Sequence, residues 1–222
     1  MKVHNVNFRI NKKCIGLFSA DCLRLWDFAY YCPVAECMDK QGLFDRLAAM
    51  KAKVKVPDLA ALGEDTTIPA TFWHELCYDQ RDDSIAFRAA WVLEYIAAYH
   101  PRRFVPVLLD FLSILPNQEN LSCQRHFTKI LMAITSPQAP KAYQETYRLA
   151  DHERLVETIF EWLIRPQTPV AVQVNCMDIL FNMSTEFEWI TEELKSQVEF
   201  LMRDGSAAMQ SRGKKVLGKL KC

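Results

Sequence analysis

Four apolar pairs, Val92-Leu93, Ile130-Leu131, Ile179-Leu180 and Val216-Leu217, recur along the chain, each late in a stretch with helical periodicity. The steps from 92 to 130, 130 to 179 and 179 to 216 are 38, 49 and 37 residues. A helix with an apolar stripe cannot shield that stripe by itself, so units returning at this period must bury it against one another. The long middle step contains the segment from Pro137 to Tyr147, which reads as a partly loop-like insertion within Ala139 to Ala150. The chain is therefore expected to be all-α, with helix pairs stacked side by side.

Local signals agree with that reading. Only six glycines occur among 222 residues, and the ten prolines fall mostly between apolar stretches, where they separate helices without interrupting them. Asp82, Asp83 and Ser84 offer caps to a helix from Ile85 to Tyr99 that is apolar nearly all round and so should lie at the centre of the core. His100-Pro101 ends it. Asp151 should cap a helix through Ile164, and Gly205-Ser206 should stop one helix and cap the last. Residues 1–37 show no sustained helical period and hold four of the eight cysteines. They read either as a loosely ordered extension or as an over-long gene start, the second being favoured, so residues 38–222 are taken as one helical repeat domain.

The spacing lies in or close to the roughly 40 to 47 residues of HEAT and armadillo units. The segments FRAAWVLEYI, IFEWLI, TPVAVQVNCMDIL, FEWITEELKSQVE and MQSRGKKVLGKL resemble those of small bacterial HEAT-like proteins, over about residues 80–221. Some members of that group carry the label adenylosuccinate lyase. The resemblance implies an α-solenoid of stacked antiparallel helix pairs that presents a binding surface.

Charge and motif content narrow the function. Lys plus Arg and Asp plus Glu stand at 27 each, so no global field draws the chain onto nucleic acid. Charged residues break every apolar run short of a membrane span, and the run from Ile15 to Ala20 is too short for a signal-peptide core. Eight cysteines without a CxxC pair read as buried thiols of a reducing cytosol, and a cytoplasmic protein is expected. No glycine-rich phosphate loop occurs. His74-Glu75 opens like HExxH, but Tyr78 stands where the second histidine belongs, so a partly exposed His-Glu pair is expected there and no metal. His100 and His126 read as structural histidines, and Trp91, Trp162 and Trp189 as core residues. Gly205-Ser206-Ala207-Ala208-Met209-Gln210-Ser211-Arg212 faintly matches the GSSxMPxK loop of the fumarase and adenylosuccinate lyase superfamily. Ala207, Gln210 and Arg212 depart from it, and a helix cap explains Ser206.

No catalytic residue, metal or cofactor is expected, and a protein partner is. The candidate binding residues are Arg88, Trp91, Tyr95, Arg125, Lys129 and Arg212, the first three lying three or four apart on one helical stripe. A HEAT-like nucleic-acid binder of the DNA alkylation-repair type is the alternative, because Arg203 to Cys222 holds six basic residues and only Asp204 against them. Lyase activity is the third reading.

Overall fold

Helix order follows from where the chain offers caps. The computed structural model describes residues 38–50 and 54–220, all within one unit of 37–222; the expectations for residues 1–37 lie outside the described residues. Among the described residues there are eleven α-helices and a 3-10 turn. They are α1 (Lys40–Ala49), α2 (Val56–Glu64), α3 (Ala70–Leu76), α4 (Asp83–Tyr99), α5 (Pro101–Ser113), the turn Leu115–Asn117, α6 (Leu121–Thr135), α7 (Lys141–Tyr147), α8 (His152–Ile164), α9 (Val170–Met183), α10 (Glu188–Met202) and α11 (Ala207–Leu220). Asp82 accepts from the amide of Ser84 at 2.8 Å, Asn120 from Ser122 at 2.9 Å and Asp151 from Arg154 at 3.1 Å, opening α4, α6 and α8. Pro69, Pro140 and Pro169 each stand immediately before a helix, where their carbonyls accept the first helical bond and a fixed φ costs nothing.

The helices form two layers. In the first, α2, α4, α6, α9 and α11 lie side by side, each packed on the next. In the second, α3 packs on α5, the 3-10 turn joins α5 to α8, and α10 packs on α9 and α11. The recurring apolar pairs all fall on first-layer helices. Val92, Leu93, Leu131, Ile179, Leu180 and Val216 are fully buried and Ile130 nearly so. Each such side chain contributes roughly 1.5–3 kcal/mol on burial. Their period is the period of the stack.

One expectation about a connection is revised. The segment from Ala139 to Ala150 is largely helical: α7 packs on α5 and α6, and the buried Tyr143 donates to the carbonyl of Ala97 at 2.6 Å. Pro106 lies inside α5, whose first residue is Pro101.

Arg103 ties the layers together at one end. From α5 it donates to the carbonyls of Gly63, of Asp65 at 2.8 Å and of Ile68 at 3.1 Å, satisfying the turn between α2 and α3.

Candidate functional site

On the solvent side of α4, Phe87, Trp91, Tyr95 and Tyr99 stand four residues apart, which puts them in one row along the helix. The rings of Trp91 and Tyr95 stack at 5.8 Å and 14°, and Tyr95 meets Tyr99 at 4.7 Å. Phe87 lies 5.0 Å from the ring of His126 on α6. Tyr99 is 68% exposed, so the row is sunk at its middle and open at its end. Gly63 makes room for it. A Cβ there would sit 2.5 Å from Cδ1 of Tyr95, so only glycine lets α2 approach the ring this closely.

Neighbouring first-layer helices are joined by polar bridges on the same face. Tyr95 donates to Glu64 at 2.5 Å, and His100 stands 3.1 Å from that carboxylate. Glu94 receives His126 at 2.5 Å and Lys129 at 2.9 Å. Asn175 donates to Thr128 at 3.0 Å and Asn182 to Thr135 at 3.2 Å, linking α9 to α6. Arg212 of α11 pairs with the buried Asp178 of α9, and Lys219 lies over the ring of Phe181 at 4.8 Å. Burial works to raise the Glu94 pKa, but the bonds from His126 and Lys129 outweigh it and hold the carboxyl below its usual range.

The sequence-derived residues therefore divide. Trp91, Tyr95, Arg125 and Lys129 lie together on α4 and α6. Arg88 donates to the carbonyl of Leu47 at 2.7 Å and so braces α1, while Arg212 sits two helices from α6 and holds Asp178. Arg125 is exposed and stands outside the ion pairs just described, as does Lys215. Phe87, Tyr99 and Lys215 were missed by the sequence reading, although the four-residue spacing from 87 to 99 signals the first two.

Charge is sorted between the layers. Helices α6 and α11 carry Arg125, Lys129, Arg212, Lys214, Lys215 and Lys219, with no Asp or Glu. Helices α8 and α10 carry seven glutamates against Arg154 and Lys195. Of the carboxylates on the first-layer helices, Glu94 and Asp178 are paired with cations, Glu64 accepts from Tyr95, Asp58 from the amide of Lys55 and Asp83 from Asn120, and α6 and α11 carry the basic surplus.

The other candidates are structural. His74 is buried, 4% exposed, between the rings of Tyr78 and Phe111 at 5.5 and 5.8 Å, because α3 turns Trp73, His74 and Leu76 together onto the core. Only Glu75 is exposed, 2.5 Å from Lys40, which corrects the expected partly exposed pair. Burial, partly opposed by Asp110 and Glu75, lowers the His74 pKa to about 4. Cys77, Cys123 and Cys176 are buried free thiols, their pKa values raised by burial. No cluster of metal-ligating side chains occurs among the described residues. Ser206 accepts from the amide of Met209 at 3.4 Å at the start of α11. Trp162 is core as expected and Trp91 half-buried. Trp189 is not core: it is 52% exposed and stacks on Phe160 at 5.7 Å, since Ile190 takes the inward position beside it. A hollow of about 490 Å³ by the turns before α4 and α6 is lined by Asp79, which binds Arg81, and Asp83, which binds Asn120.

The two-layer stack and its period agree with a comparison against known families, in which the model of the HEAT repeat domain matches residues 70–220. The chain belongs to the HEAT repeat family. No match was found among curated proteins or among solved structures. HEAT repeats are commonly protein-interaction scaffolds, their stacked helices offering one continuous side to a ligand. In this HEAT protein the first layer carries the aromatic row of α4 beside the unpaired Arg125, whereas the exposed Trp189 and Phe200 of the second layer lie among glutamates. No described helix is long and apolar enough to cross a membrane.

Proposed function

We propose that this HEAT protein is a non-catalytic interaction module and that it docks another polypeptide on the first-layer face. The aromatic row of α4 carries the reading. Four large rings are left at the surface of a helix whose opposite side is fully buried, and rings presented in a row beside Arg125 and Lys129 have the composition of an interface centre. Among the described residues the histidines are engaged in packing or in carboxylate pairs, and the thiols are buried with raised pKa values.

The test uses the full chain as bait in a native extract, beside a Tyr99→Ala, Arg125→Ala double variant. Both residues are exposed, so the variant should keep the wild-type melting temperature. A protein retained by the wild type and lost with the variant is the expected result. Retention of the same proteins by both would remove this face from the account.

A further inference from the structure

Resting on the docking reading above, we infer that the occupant of the first-layer face is an extended acidic polypeptide segment that crosses the helices with an apolar anchor at its α4 end.

Charge sets the sign of the partner. Glu94 and Asp178 are each paired with a cation within the face and Glu64 lies at its α2 edge against Tyr95 and His100, whereas Arg125 on α6 and Lys215 on α11 stand outside its ion pairs. A ligand approaching this side meets basic charge that is not already answered, and the glutamate-rich α8 and α10 keep an acidic ligand off the other layer.

The rings argue for a polypeptide over a nucleic acid. Single strands bind by stacking bases on open aromatic faces along an unbroken basic track. Here Trp91 lies on Tyr95 and Tyr95 leans on Tyr99, so of these three rings only Tyr99, at the end, is open to a ligand, and no run of stacking platforms is offered. One open ring suits a single apolar side chain. The basic track is also broken at α9, whose surface groups between Arg125 and Lys215 include the neutral amides of Asn175 and Asn182.

The order of the layer gives the occupant a register. Packed helices lie about 8–10 Å apart, and an extended chain advances about 3.3 Å per residue. From the α4 row to Arg125 is one helix step, or about three residues. From α6 over α9 to Lys215 is two steps, or about six more. The segment should carry its apolar anchor first, an acidic residue about three positions later, and a second acidic cluster about nine positions after the anchor.

Fluorescence anisotropy of the full chain tests this with three labelled probes at low salt. One is a peptide with Phe at its start, Glu at about the third and ninth positions beyond it and Ser and Thr between. The second has the same composition with the glutamates gathered at one end, and the third is a single-stranded oligonucleotide of similar length. The expected result is tighter binding of the spaced peptide than of either other probe. Arg125→Glu and Lys215→Glu should each weaken it by about tenfold, and Arg154→Glu on α8 should leave it unchanged. Equal binding of the two peptides, tighter binding of the oligonucleotide, absence of peptide binding, or indifference to both reversals would overturn the inference. A natural partner lost with the Tyr99→Ala, Arg125→Ala variant but indifferent to Lys215→Glu and to salt would leave the docking reading standing and remove the acidic occupant.

Discussion

Helices α6 and α11 in one layer and α8 and α10 in the other have similar lengths and all pack on α9 or its neighbours, yet they carry opposite charge. In the first layer, carboxylates are few and locked: Glu94 into His126 and Lys129, Asp178 into Arg212. In the second, most glutamates stand on exposed stripes, with Trp189 and Phe200 uncovered among them. A chain of zero net charge is thus divided along its layers, and the two sides differ in the charge they offer a ligand. Whole-chain charge decides solubility and long-range steering, but the charge of one face decides what can rest on it.

The largest effect should come from unfastening the layers from each other. Arg103→Ala would leave the carbonyls of Gly63, Asp65 and Ile68 without their donor, and a loss of about 3 kcal/mol is expected in urea unfolding. A change below about 1 kcal/mol would show that the two layers do not depend on this tether.

Acid separates the layers by a similar amount. His74 beneath the second layer stays neutral in the folded chain down to about pH 4, whereas an unfolded histidine takes up a proton below about 6.5. The unfolded state binds more protons in that window, so stability falls as pH drops from 6.5 towards 4, by about 3 kcal/mol. Glu94 behaves differently. Its lowered pKa means that its contribution persists through that window and is lost only as pH falls through and below the ordinary carboxylate range. His74→Leu should flatten the loss between pH 6.5 and 4, and an unchanged slope would place the sensitive group elsewhere.

Gly63→Ala tests the seat of the aromatic row. Alanine gains about 1 kcal/mol in helix propensity, but its Cβ would force Tyr95 to move, and a net destabilisation of about 1 kcal/mol is expected together with altered near-ultraviolet dichroism. The smallest effect belongs to the exposed glutamates of α10. Glu192→Gln should change stability by less than about 0.5 kcal/mol, because nothing in the fold leans on that carboxylate.

The sequence showed the first layer more clearly than the second. Val92-Leu93, Ile130-Leu131, Ile179-Leu180 and Val216-Leu217 are detectable because long helices with deep apolar stripes repeat them, and they mark α4, α6, α9 and α11. Among the other helices, α5, α8 and α10 carry apolar stripes as plain as those of the first layer, but α3 and α7 are only seven residues long. In α7 only Tyr143 and Tyr147 are buried, too little period to separate a helix from a loop. His74 and Trp189 were each assigned the wrong side for the same reason: beside a buried neighbour, one step along a helix turns a side chain by about 100°. Part of the aromatic row, Trp91 and Tyr95, was readable from its spacing, whereas Arg88, read onto the same stripe, turns to the carbonyl of Leu47. The sorting of charge was not, because it depends on which helices share a layer.

The most direct test places a photo-crosslinking residue at Tyr99 in one version of the full chain and at Trp189 in another, exposed aromatics of opposite layers. Both are irradiated in a native extract. The account predicts discrete adducts from position 99 and none of comparable yield from position 189. Adducts from 189 alone, or equally from both, would contradict the assignment of the first layer as the docking face.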